Sequence, residues 1–223
     1  MPDNKRPPGI SVGTAAAQST FIIPWRITNP AGGVIGLIDD VRVAGISQAF
    51  TVRHLLPCPR SFAALRFDGA SGQVLCGTQS SLRALGDQAI GAWVWRGGGA
   101  AGPIAGNATV NASGVQLEIT AGGVVRFITN QAGAQVIATC AGAVVPLNTQ
   151  THILAVKSGT TVTFYQNGVV NGAAQTGITN PIVATAQFRI GGSAAAAFFD
   201  GMISHVRYYA SAPNAAEALN IFK

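Results

Sequence analysis

An antiparallel all-β sandwich or barrel is the fold that this 223-residue sequence predicts, and three observations predict it. Short runs of β-branched and aromatic residues recur at a spacing of roughly ten residues, each closed by Gly, Asn, Pro or Ser. Asn167-Gly168 stands between two such runs, where it can fill both positive-φ positions of a type I′ hairpin turn. Hydrophobic residues make up 48% of the chain and charged ones 10%, a composition with enough apolar surface to close a dense core. The length fits a single sandwich.

The elements follow in order. Residues 1–20 are rich in Pro, Gly, Ala and polar groups and read as an extended arm. Residues 21–61 carry the runs IIPWRIT, VIGLIDDVRV and AFTVRHLL, which are extra strands or a small β docking module. From residue 62 come FAALRFDG, QVLCG and AIGAWVW, then the glycine-rich loop GGGAAG (97–102) and the polar stretch NATVNAS. VQLEI, VVRFIT and QVIATC follow as strands, then HILAVK, which ends at the turn Lys157-Ser158-Gly159. TVTFYQ pairs with VVNGA across Asn167-Gly168, so the region is a meander. Alternation puts His152, Leu154 and Val156 on one face and Ile153, Ala155 and Lys157 on the other, without deciding which face is inside. After QFRIGG and FFDGMISHVRYY, the segment SAPNAAEALNIFK predicts one short helix. Ser211 or Asn214 caps it, Pro213 fits its first turn, and Leu219 and Phe222 pin it.

Four pieces in this order carry a family resemblance: ALRFDGASGQVL (64–75), AIGAWVW (89–95), THILAVKSGTTVTFYQNGVV (151–170), and FRIGG with FFDGMISHVRYYASAPNAAEALNIF (188–222). Together they resemble the laminin G-like, concanavalin A-like lectin and glucanase superfamily. The resemblance implies a jelly-roll sandwich of two antiparallel sheets over residues 62–223. Members often carry acidic residues in the closing strand where this chain has Ser204-His205, so a calcium site does not carry over to that strand.

Glucanases of this superfamily use two carboxylates on one strand, one to protonate the leaving oxygen and one to attack or activate water. Only two glutamates exist here, Glu118 and Glu217, about a hundred positions apart. Asp39-Asp40 are adjacent, so a strand would point them to opposite sides. The sequence therefore predicts no catalytic residues. GISVG (9–13) matches the nucleophile elbow G-x-S-x-G but lies in the arm, without the strand and helix that give the motif meaning. GGGAAG matches G-x-G-x-x-G, yet Pro103 follows where a helix must begin.

Asp68 and Asp200 each precede glycine in an FDG context. Turn chemistry, with the carboxylate accepting backbone N–H groups, is the plainer role; calcium ligation is the alternative. Trp93 and Trp95 share a parity and are core residues or a sugar platform, core being preferred. His54, His152 and His205 lack metal-site spacing, and His152 and His205 are expected to be structural or exposed. Cys58, Cys76 and Cys140 form neither a disulfide framework nor a CxxC motif, so free thiols are expected. Asn107 and Asn111 begin formal glycosylation sequons, expected to go unused in a cytoplasm-made chain.

The net charge is +6, but the arginines from Arg53 to Arg207 come singly, and Lys5-Arg6 is the one basic pair. No nucleic-acid motif accompanies them, so no nucleic acid is expected. No apolar run approaches the eighteen or so residues of a membrane span, and the first twenty lack a secretory signal. Members of the superfamily that the chain resembles are usually displayed outside cells, and with no export signal here the resemblance implies a non-enzymatic bacteriophage virion protein, folded in the host cytoplasm and most simply a capsid decoration or cement protein. It would be a homo-oligomer whose arm, through Lys5, Arg6, Pro7 and Pro8, binds the major capsid protein or other virion proteins. The alternative is an adhesin of a phage tail or fibre that binds a host glycan. No cofactor is expected beyond the calcium alternative.

Overall fold

The computed structural model describes residues 25–28, 34–38, 64–99 and 102–222. The arm, with Lys5, Arg6, Pro7 and Pro8, lies outside them, as do His54, Cys58, Asp39-Asp40 and the run AFTVRHLL. Within residues 21–61, β1 (Trp25–Thr28) and β2 (Val34–Ile38) pair as an antiparallel ribbon.

The remaining elements are β3 (Leu65–Asp68), β4 (Val74–Leu75), a 3-10 turn (Ser80–Leu82), β5 (Gln88–Arg96), β6 (Gly102–Gly106), β7 (Val115–Ile119), β8 (Val125–Gln131), β9 (Ala134–Thr139), β10 (Gln150–Ser158), β11 (Thr161–Gln166), β12 (Val169–Val170), β13 (Arg189–Ile190), β14 (Asp200–Tyr209) and α1 (Ala215–Phe222). They form two six-stranded sheets, ordered β12-β11-β10-β5-β14-β3 and β4-β13-β6-β7-β8-β9. Every pairing within them is antiparallel. The sandwich expected from the spacing of the runs is the fold.

One core joins the sheets. Ile90, Val94, Ile153, Phe164 and Ile203 from the first meet Ile104, Leu117, Ile119 and Phe127 from the second, all nearly inaccessible to water. Burying each such side chain contributes about 1.5–3 kcal/mol. The alternation at 152–157 could not name its inner face because both faces are covered. Ile153 and Ala155 point between the sheets, while Leu154 and Val156 join Ala89, Tyr165 and Ala218 in a second cluster under α1.

Three local readings change. The loop GGGAAG (97–102) gives way at Gly102 to strand β6, GPIAG, which is buried throughout and is not among the runs that the sequence marks as strands. Pro103 is tolerated because the β6–β7 register slips between Pro103 and Ala105, and a bulge spares the missing N–H. The helix is capped by Asn214, with Pro213 just before the cap: Asn214 Oδ1 accepts the N–H groups of Ala216 and Glu217 at 2.9 and 3.0 Å, and Glu217 Oε2 accepts that of Asn214 at 2.7 Å. Ala218, Ile221 and Phe222 hold the helix, whereas Leu219 is largely exposed and only its tip lies over Gly168.

The Asn167-Gly168 turn has φ of 51° and 79°, both positive as a type I′ turn requires. Among the described residues no helix is long and apolar enough to cross a membrane.

Candidate functional site

The outer face of the first sheet is divided in two. α1 covers the half around Leu154, Val156 and Tyr165. Its last side chain, Phe222, reaches Trp93 and His152, with ring centroids 5.4 and 5.8 Å apart. His152 and Trp93 are cross-strand partners with rings 5.4 Å apart, so the three make one aromatic cluster. His152 is buried and its Nδ1 has no hydrogen-bond partner. Burial, helped by the nearby charges of Arg207 and His205, pushes its pKa down to about 4. His205 sits at the β14 bulge with φ of 48°, a strained conformation for a residue with a side chain.

Beyond Phe222 the face is built from four strands in register. Gln150 stands opposite Trp95, Trp95 opposite Met202, and Met202 opposite Arg66. Val94 and Ile203 between them point into the core, so this row points outward. Met202 is buried, Trp95 beside it is half-buried, and the Arg66 side chain is 40% exposed. Arg66 Nη2 lies 3.0 Å from Asp200 Oδ1, a salt bridge that sets a donor and an acceptor beside the indole.

The loop after β5 is shaped to this row. A Cβ on Gly97 would stand 2.8 Å from both Trp95 and Arg66 Nη1, and one on Gly98 would stand 2.3 Å from Asp200 Oδ2. The glycines of GGGAAG therefore let the backbone approach the platform; they do not cradle a phosphate. On the same sheet, a shallow groove of about 330 Å³ lies between β14 and α1, lined by Arg207, Tyr209 and Glu217 among others.

Asp68 and Asp200 are brought together as register partners. Asp68 Oδ1 accepts the N–H groups of Ala70, Ser71 and Gly72 at 2.9, 2.9 and 3.0 Å. These bonds hold its pKa well below the usual carboxylate range. Asp200 is paired with Arg66. Calcium does not fit this pair, because the carboxylate oxygens already serve protein donors and a cation would face the guanidinium. Among the described residues no three His, Cys, Asp or Glu side chains gather as a metal site.

The other carboxylates among the described residues are also engaged. Glu118 accepts from Arg126 and from Gln116 Nε2 at 2.7 Å, Glu217 caps the helix, and Asp87 accepts the N–H of Gly159 at 2.7 Å. Cys76 and Cys140 are free thiols; burial raises the pKa of Cys76 to about 11, so it is not a poised nucleophile. Asn107, a formal sequon, is buried, donating to the Leu82 carbonyl at 2.7 Å and accepting from Val115 N–H at 3.0 Å.

The model of the concanavalin A-like lectin/glucanases superfamily matches residues 68–218. The chain belongs to this superfamily. Three solved structures share this lectin/glucanase fold. A heptameric SAP-like pentraxin from Limulus polyphemus is 16% identical over 71% of this chain and 80% of that one, with a TM-score of 0.54. Domain 4 of AbnA, an extracellular arabinanase from Geobacillus stearothermophilus solved with arabinotriose, is 19% identical over 72% and 76%, with a TM-score of 0.54. Domains LG4-5 of the mouse laminin α1 chain are 16% identical over 68% of this chain and 44% of that one, with a TM-score of 0.50. No curated protein sequence matches the chain.

Trp95 was visible to sequence reasoning as half of a same-parity pair, though the core was preferred for both tryptophans. Instead, both face outward, one beneath Phe222 and one beyond it. Gln150 and Arg66 carried no signal, since only the strand register brings them to Trp95.

Proposed function

We propose that this lectin/glucanase-superfamily chain is a non-enzymatic binding domain that grips a glycan across Trp95. One observation carries the reading: a half-buried, outward-facing indole on a rigid sheet is flanked by Gln150 and by the Arg66–Asp200 donor–acceptor pair. A sugar ring offers an apolar C–H face to stack on an indole and hydroxyls at its edge for the charged pair. The arabinotriose complex of AbnA domain 4 supports a glycan as the class of ligand. Against hydrolysis, each of the five carboxylates among the described residues is committed to a protein donor, and Asp68 is held too acidic to protonate a leaving group.

A glycan array probed with the full chain tests this. A bound glycan whose affinity falls about tenfold or more in Trp95→Ala, a change of about 1.4 kcal/mol, is expected. Failure to bind any glycan, or binding untouched by the substitution, would overturn the reading.

The setting we assign is the surface of a bacteriophage particle. The basic, proline-rich Lys5-Arg6-Pro7-Pro8 segment supports docking of the chain on capsid or other virion proteins, as a decoration protein of the head. A tail or fibre adhesin is the other placement. Deleting residues 1–20 should abolish particle binding and spare glycan binding. Hundreds of copies per purified particle would mark a head protein and a few copies an adhesin; absence from particles would exclude both.

A further inference from the structure

Lys157 lies at the opposite end of β10 from Gln150 and the Trp95 platform, and it is fully buried. Its Nζ donates to Gly159 O at 2.5 Å and to Asn180 Oδ1 at 2.6 Å. Among the described residues no carboxylate pairs with it at ion-pair distance. A buried ammonium without a counter-charge is costly, and neutralisation relieves that cost. Burial accordingly lowers the lysine pKa, favouring the neutral amine, which is the nucleophilic form.

The backbone that carries this amide is fixed in place. Asn180 O accepts Gln131 Nε2 at 2.6 Å. On either side, Ile178 N–H donates to Thr160 O at 2.9 Å and Ile182 N–H to Asn130 O at 3.0 Å. The segment is thus stitched to the turn after β10 in the first sheet and to β8 in the second. Oδ1 is one bond from Cγ, so Nζ stands close to the separation of about 3–3.5 Å from which an amine attacks a carbonyl carbon. Asp87, the neighbouring negative charge, is itself held by Gly159 N–H at 2.7 Å.

We propose that Lys157 and Asn180 join in an intramolecular isopeptide bond that ties the two sheets together. The Nζ lone pair attacks Asn180 Cγ, the C–N bond forms, and the Cγ–Nδ2 bond breaks. Nδ2 leaves as ammonia, taking the proton that Nζ gives up in the tetrahedral adduct, where both nitrogens are bonded to the same carbon. One amine and one amide become one substituted amide and one ammonia, with no oxidant, reductant or water consumed. Asn180 is exposed at the surface, which gives the ammonia a way out. The product is neutral, so the buried charge is gone. This inference is independent of the glycan reading.

Intact mass of the full chain under denaturing conditions tests it. The expected result is a mass one ammonia below that of the sequence, with a branched peptide joining residues 157 and 180 after digestion. Lys157→Arg and the surface substitution Asn180→Ala should both restore the unlinked mass; the second keeps the test readable if the first does not fold. Asn180→Asp should give the same branch with loss of water. Recovery of unlinked Lys157 and Asn180 peptides from the folded wild-type protein overturns the proposal. So does ammonia loss that maps to a succinimide at Asn167-Gly168.

Discussion

Asp68 and His152 both have depressed pKa values, for opposite reasons and with separate consequences. Backbone N–H groups favour the charged form of Asp68, whereas burial beside Arg207 and His205 disfavours the charged form of His152. Removing the Asp68 acceptor should act like the loss of a helix cap: Asp68→Ala is expected to cost about 1 kcal/mol, read as a lower urea midpoint at neutral pH. The Asp68 contribution is present above the unfolded-state value of about 4 and fades as pH falls below it. For His152, the unfolded chain binds a proton near 6.5 and the folded chain only near 4. Stability should therefore be complete above about 6.5 and decline as pH drops towards 4, by up to about 3 kcal/mol. His152→Phe keeps a ring against Trp93 and Phe222 and should remove this decline. Urea midpoints at pH 7 and pH 4.5 check both; equal wild-type midpoints would refute the His152 account.

At the scale of elements, the Asn167-Gly168 hairpin was legible because its signal is local: two adjacent residues meet the turn's demand for positive φ. Gly168 carries a second constraint that no local reading contains. A Cβ there would stand 3.0 Å from Leu219 and from Phe222, so the turn is also the floor on which α1 rests. Gly168→Ala combines an unfavourable φ with this contact, and about 1–2 kcal/mol of lost stability is expected, with Trp93 fluorescence shifting as Phe222 moves. An unchanged melting temperature would show that the helix adapts freely. Strand β6 escaped the sequence for the converse reason: Pro103 signals a break, and only the bulge against β7 makes it admissible. The platform was half legible, since Trp95 stands out by type while Arg66 and Gln150 reach it from other strands, 29 and 55 positions away in sequence.

At the scale of the molecule, the sheets are held by one shared apolar core and by polar struts at their ends. Arg96 is such a strut. It ends β5 in the first sheet and is buried, and its Nη1 and Nη2 donate to Val145 O and Ala121 O, each at 2.7 Å, in the loops after β9 and β7 of the second sheet. In the sequence it is one more scattered arginine, counted with the surface charge, because a guanidinium's fate depends on which carbonyls the fold strands near it. Replacing it removes the donors and leaves buried acceptors unmet, so Arg96→Met should cost about 2–3 kcal/mol. Because one core spans both sheets, this loss should lower the midpoint without splitting the transition: tryptophan fluorescence and far-ultraviolet circular dichroism should still coincide in urea. If the two probes separate in the variant, Arg96 is what couples the sheets and the core alone does not. If the unfolding free energy falls by less than about 0.5 kcal/mol, the carbonyls find water and the strut carries little.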